Sequence, residues 1–378
     1  MKVTPFLITT PPKALRDLHA RLELTRWNDA VAEGWSYGTD RSMLQLLLAH
    51  WRTSYDWVQR EERLNQLPHF RAEIDGFGVH FLHYKGRGPE PAPLLLINGW
   101  PSSFVEYEHL APRLADPGAF GGDPRDSFDV VIPALPGYGF SDRPTRPQQV
   151  TSQSLFFRLM REALGYRRFG VAGTDIGAGV AVELGHHHPD AVAGIHVTTV
   201  DAPLGPDSAP LSLAEIEYQE QRNRWRAQEG AYSALQRTKP QTLAFALADS
   251  PVGLASWIIE KFYSWSDCDG ELLSLFPLDM LIDNIMIYWL TGTIGSSVRY
   301  YYEHQHRPPA LKPGDRVSPP AALLTLPKEL AQPPREWAER LLNVERYTAL
   351  TKGGHFPGWE VPDLYAADLR AFFCAFRP

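Results

Sequence analysis

The segment GVAGTDIGAGVAV, from Gly170 to Val182, reads as the end of an apolar strand, a glycine-flanked turn and the start of a helix of small residues. Asp175 occupies the turn, where a strand-to-helix elbow presents a side chain for nucleophilic attack. Further along, Glu329 follows the apolar run LTLP, and His355 follows TKGG after another strand-like run. Nucleophile, acid and histidine in that order, each at a strand end, form a pattern for covalent catalysis. Singly, each has a plainer explanation. Asp175 could cap a helix, Glu329 could be a solvated carboxylate, and His355 could be a turn residue. Together with the glycine elbow they favour chemistry.

A carboxylate at the elbow narrows that chemistry. Attack of a carboxylate on saturated carbon leaves an ester, which water can cleave at its carbonyl. A serine would leave an ether, beyond the reach of a histidine-activated water. His355 is expected to activate that water, a contribution of about 10²–10⁴-fold. Glu329 is expected to orient the imidazole and stabilise its charged form. The oxyanion then forms on Asp175 itself. In INGWPSSFVEYEHL the turn after the LLLI strand brings the Trp100 N–H toward the elbow. Trp100 and Ile176 are the expected backbone donors of the oxyanion hole, each worth about 3 kcal/mol. Asn98, Gly99 and Pro101 are expected to shape that loop.

These residues need a sheet to position them. PLLLING (93–99), FDVVIPALPG (128–137), FGVAGTD and AGIHVTTV are continuous apolar runs suited to strands buried on both faces. Helical patterns alternate with them, which predicts a mostly parallel, doubly wound α/β sheet. HFRAEIDGFGVHFLHYKG alternates around Asp75-Gly76, a hairpin signal. Residues 1–90 form an N-terminal segment, helical and then this first hairpin. Residues 91–205 and 319–378 are the two parts of the core, split by a helical cap over 206–318. The C-terminal DLYAADLRAFFCAF is an amphipathic helix, and the Pro-rich 306–320 is the expected linker from cap to core.

Composition excludes several classes. A chain of 378 residues with 44% hydrophobic content can bury a large core, and its net charge of −7 argues against nucleic acid or an anionic membrane as partner. The two cysteines, Cys268 and Cys374, lie far apart and form no disulfide framework, the pattern of a reduced compartment. The first fifteen residues have too short an apolar run for a signal peptide, and no stretch approaches the ~18 apolar residues of a membrane span. A cytoplasmic protein is expected, with homodimerisation left open. The histidines at 186–188, 304 and 306 lack carboxylate or cysteine partners at metal-ligand spacing. No metal is therefore expected. GTDIGAG is not a dinucleotide fingerprint, so no cofactor is expected either.

The motifs NGWPSS, GTDIGAG, PGYGFSDRP, TKPQTLAFALADSPVGLASWIIEKFYSW, NIMIYWLTGTIGSSVRYYYE, LPKEL with PPREW, and GGHF resemble those of the microsomal-type epoxide hydrolases over nearly the whole chain. The resemblance implies an α/β-hydrolase fold with a helical cap and an N-terminal segment wrapping both core and cap. It implies conversion of a small-molecule epoxide to a vicinal diol. It also implies two cap tyrosines that donate to the epoxide oxygen, falling by motif on Tyr232 and Tyr301, with Tyr300 and Tyr302 as neighbours that could exchange roles. The membrane anchor of animal members has no counterpart in these motifs. Two positions depart from the family pattern: Asn98 replaces a histidine and Ile176 a tryptophan. The first is expected to retune the loop, the second to widen the pocket for a bulky or aromatic epoxide. Detoxification and specialised bacterial biosynthesis are both settings for such an enzyme. Haloalkane dehalogenation shares the aspartyl ester but uses N–H donors for its halide, so the tyrosines discriminate. A catalytically inactive binding module would explain the two departures but not the retained Asp175, Glu329 and His355.

Overall fold

The apolar runs become strands with every residue buried: β5 (Phe128–Pro133), β6 (Phe169–Gly173) and β7 (Val192–Val197). With β1 (Val3–Pro5), β2 (His69–Ile74), β3 (Phe77–Tyr84), β4 (Ala92–Ile97), β8 (Val317–Thr325) and β9 (Leu342–Ala349) they form one nine-stranded sheet. The order is β1-β2-β3-β5-β4-β6-β7-β8-β9. The first three strands add antiparallel to β5, and the rest run parallel. This computed structural model describes residues 1–308 and 310–376. Pro309, inside the expected linker, and residues 377–378 lie outside the described residues.

Asp75 and Gly76 turn between β2 and β3 with φ of 52° and 76°, the two left-handed positions of a tight hairpin. The N-terminal segment holds α1 (Pro12–Glu23), α2 (Arg41–Thr53) and α3 (Trp57–Leu64). It also holds β1, which a reading of this region as helical missed; three residues are too few for alternation to register. Helices α4 (Leu110–Ala115), α5 (Ser152–Arg158) and α6 (Ile176–His187) connect the core strands.

Between β7 and β8 lie α7 (Leu213–Glu229), α8 (Ala231–Thr238), α9 (Pro240–Asp249), α10 (Pro251–Trp265), α11 (Leu272–Leu275), α12 (Leu278–Thr291) and α13 (Ile294–His306). Helix α12 is not amphipathic: Leu281 to Tyr288 are all buried. It lies against α2 and α10, so no face is left for water. Strand β8 begins at Val317, inside the stretch read as linker, and its prolines sit at a register shift where missing N–H groups do no harm. Helices α14 (Arg335–Glu339), α15 (Pro357–Glu360) and α16 (Pro362–Phe373) complete the chain. Among the described residues no single helix is long and apolar enough to cross a membrane.

Register decides what the sheet presents. Ile97 pairs with Gly173 at the ends of parallel β4 and β6, so the loop after one and the elbow after the other leave the sheet side by side. Thr325 pairs with Ala349 at the ends of β8 and β9, and a further bridge joins Lys328 to Gly354. All four loops lie beyond the carboxyl ends of parallel strands, where α/β sheets place their sites.

Candidate active site

The elbow between β6 and α6 puts Asp175 at φ 49° and ψ −123°, a conformation a non-glycine residue adopts only when its surroundings impose it. Its carboxylate makes no capping hydrogen bond to α6 among the described residues, so the N-cap explanation fails. Oδ1 instead accepts from the Trp100 N–H at 2.9 Å, while Oδ2 lies 3.5 Å from His355 Nε2. The approach is close enough to require glycine. A Cβ on Gly99 would sit 2.1 Å from Asp175 Oδ1, and one on Gly177 would sit 2.1 Å from the Ile97 carbonyl oxygen.

His355 and Glu329 are buried, so Glu329 is not a solvated carboxylate, and His355, though it lies in a bend, keeps its ring inside the protein. His355 Nδ1 donates to Glu329 Oε1 at 2.6 Å, and the same oxygen accepts the Leu330 N–H at 2.8 Å. Burial works against a charged imidazole. The Glu329 charge, then the contacts with Asp175 and Glu329, outweigh it and hold the His355 pKa well above 6.5. Its loop is anchored to the end of α10, the His355 N–H donating to the Trp265 carbonyl at 2.8 Å. Nε2 has no hydrogen-bond partner among the described residues and faces Asp175. It is placed for a water attacking an acyl group there.

The loop after β4 carries a cis Trp100–Pro101 bond. Asn98 donates to the Gly99 carbonyl at 3.0 Å and to Ser102 Oγ at 3.2 Å, so its amide is bonded within this loop. The Ser102 hydroxyl also bonds Glu106 at 2.6 Å. Burial, against that bond and the nearby His355 charge, pushes the Glu106 pKa up to about 8. From the cap, Asn284 donates to the Pro101 carbonyl and the Tyr288 hydroxyl to the Ser102 carbonyl, each at 2.8 Å. No hydrogen bond joins the Ile176 N–H to the Asp175 carboxylate among the described residues; the carboxylate is turned toward Trp100.

Tyr232 of α8 and Tyr301 of α13 close the site from the cap side. The Tyr232 ring stacks on Trp100 at 5.4 Å and tilts onto Trp265 at 4.9 Å; Tyr301 stands edge-on to Trp100 and Tyr232, both at 6.1 Å. Burial raises both phenol pKa values well above 10.0, and the Asp175 charge adds to it, so both remain O–H donors at neutral pH. The tyrosine run is thereby resolved. Tyr300 stacks on His304, and the part-exposed Tyr302 stacks on His306. His188 stacks on Phe157, and His186 and His187 contact each other.

A cavity of about 660 Å³ opens beside Asp175, His355 and Glu329. Its lining includes the aromatic Tyr218 and Trp225 of α7 and the small Ala178 and Gly179 of α6. Sequence reasoning missed Glu106, Asn284 and Tyr288. The available signal was Asp-Asn inside the apolar run LIDNIMIYW, since polar residues within a buried helix must have partners.

A nine-stranded, mostly parallel sheet with an elbow carboxylate beside a Glu-supported histidine and a helical cap insertion defines a hydrolase of the α/β fold. Family models agree: one described as epoxide hydrolase N terminus matches residues 3–107, and one described as alpha/beta hydrolase fold matches 92–277. The chain is 40% identical to a putative epoxide hydrolase of Stigmatella aurantiaca, over 99% of this chain and 86% of that protein. It is 33% identical to epoxide hydrolase 1 of Oryctolagus cuniculus, over 98% and 88%. The crystal structure of juvenile hormone epoxide hydrolase from the silkworm Bombyx mori superposes with a TM-score of 0.89 at 28% identity, covering 99% of this chain and 95% of that one. The chain belongs to the epoxide hydrolase family, and its reaction is the hydrolysis of an epoxide.

Proposed function

We propose that this enzyme converts an epoxide to a vicinal diol through an ester on Asp175. One observation carries the reading: Oδ1 is held by the Trp100 N–H while Oδ2 faces the buried His355 at 3.5 Å. Oδ2 attacks a ring carbon as the C–O bond breaks, and the epoxide oxygen takes a proton from the Tyr301–Tyr232 pair. The Asp175 charge is then neutralised. Its share of the upward push on His355 goes with it, so the imidazole becomes a better base at the moment one is needed. His355 draws a proton from water, which adds to the Asp175 carboxyl carbon. The oxyanion forms on Oδ1, already bonded to Trp100. Collapse releases the diol, and the two protons of water end on its new hydroxyl and on the phenolate.

Each proton and electron pair is supplied by these side chains and water. Two phenols that stay protonated suit an alkoxide leaving group, which needs a proton, better than a halide, which does not. The aromatic Tyr218 and Trp225 in the cavity lining favour bulky, aryl-bearing epoxides. The test is His355→Gln incubated with an aryl epoxide. A stable adduct on the Asp175 peptide is expected by mass spectrometry, and an unmodified peptide beside an active wild type would reject the two-step scheme.

A further inference from the structure

The site cluster of Asp175, His355, Glu329 and the phenols does not include the two cap side chains that hold the loop carrying Trp100. Asn284 and Tyr288 are 0% and 1% exposed, and each spends a buried donor on a backbone carbonyl of that loop. They lie one helical turn apart on α12, so one face of that helix grips Pro101 and Ser102 at once. The Trp100 N–H precedes these two carbonyls directly in the chain.

Helix α12 is itself fixed from its other side. Asp283, next to Asn284, is buried and accepts from Tyr55 at 2.8 Å, from Arg63 at 3.0 Å and from Arg60, whose Nε is 2.9 Å away. Arg63 also reaches Glu108, in the turn that follows the gripped loop, at 2.8 Å. Two helix-α3 arginines thus tie the N-terminal segment both to α12 and to the chain just beyond the loop. A buried carboxylate with three donors is not a surface ion pair; its directionality sets where α12 sits.

We propose that Asn284 and Tyr288 are positioning residues for the second half-reaction, with α3 holding α12 in register through Asp283. This inference rests on the ester mechanism above, and the charge flow in that mechanism says which step the grip serves. During ring opening Asp175 loses negative charge, so the bond from the Trp100 N–H to Oδ1 weakens. During ester hydrolysis negative charge returns to Oδ1 and the bond strengthens. A loop allowed to drift therefore penalises hydrolysis and leaves ring opening nearly untouched.

The kinetic signature differs from that of a damaged fold. With Tyr288→Phe, which removes one hydroxyl and keeps the ring, kcat should fall roughly tenfold and KM should fall with it, leaving kcat/KM close to wild type. The ester should accumulate on the Asp175 peptide in steady state with an aryl epoxide, as in His355→Gln but turning over. Arg63→Gln, remote from the chemistry, should give the same signature at smaller size. Unchanged kcat in Tyr288→Phe, or kcat and kcat/KM falling together without accumulated ester, would overturn the proposal. An absence of any adduct in His355→Gln would instead overturn the ester mechanism beneath it.

Discussion

The two sides of Asp175 are built differently. On the Trp100 side the loop is fixed by directional polar bonds: Asn98 and Ser102 within it, Asn284 and Tyr288 from the cap. On the cap side Tyr232 and Tyr301 are placed by ring contacts, at centroid separations from 4.9 to 6.1 Å with Trp265, Trp100 and each other. The difference follows from what each side must do. In the proposed mechanism charge on Asp175 develops at one fixed atom, so its donor can be preorganised rigidly. In the proposed reaction the leaving oxygen shifts with the size and shape of the substrate, and its two donors rest against aromatic faces rather than on a loop fixed by polar bonds.

Breaking the rigid side should have the largest effect. Gly99→Ala places a Cβ 2.1 Å from Asp175 Oδ1, and the loop must retreat. Diol formation should fall by about 10²–10³-fold with the far-ultraviolet circular dichroism unchanged, the scale of losing one oxyanion donor. Full activity in that variant would show the loop to be as tolerant as the other side. Tyr301→Phe removes a proton donor from the compliant side, where Tyr232 remains. Ring opening, followed by stopped-flow mixing, should slow by about 10²-fold. Equal rates would remove Tyr301 from the reaction.

The histidine gives a pH test. Its folded pKa lies well above 6.5, so the stabilisation of its protonated form is complete below about 6.5 and is lost as pH rises through the folded value. Melting temperature should therefore decline on the alkaline side of neutrality, and His355→Gln should flatten that decline. A slope identical in both proteins would assign it to other groups. The smallest effect is expected from Ile176→Trp, which restores the family's residue beside the elbow. Selectivity for bulky over small aryl epoxides, measured by competition, should drop several-fold, about 1 kcal/mol of pocket contact. An unchanged ratio would mean that the space beside residue 176 does not set selectivity.

Much of this was legible in the chain. Strands buried on both faces announce themselves as apolar runs, and glycines crowd where backbones touch, so the elbow, Glu329 and His355 could be placed before any coordinates. Tyr301 was named by its motif position alone, with Tyr300 and Tyr302 as possible substitutes, because three adjacent side chains on a helix point in three directions and the sequence does not say which is inward. Asn284 and Tyr288 were hidden for another reason. Their partners are backbone carbonyls some 180 residues earlier, and a carbonyl has no identity in a sequence. The Ile176 donor was expected from the geometry of a strand-to-helix elbow, and whether it joins depends on how the carboxylate rotates.

The covalent role of Asp175 is tested most directly by a single turnover in H₂¹⁸O with enzyme in excess. The diol from that first turnover should carry ordinary oxygen taken from the Asp175 side chain, and ¹⁸O should appear in the Asp175 peptide. Label in the first diol and none in the peptide would mean that water attacks the epoxide directly and that no ester forms.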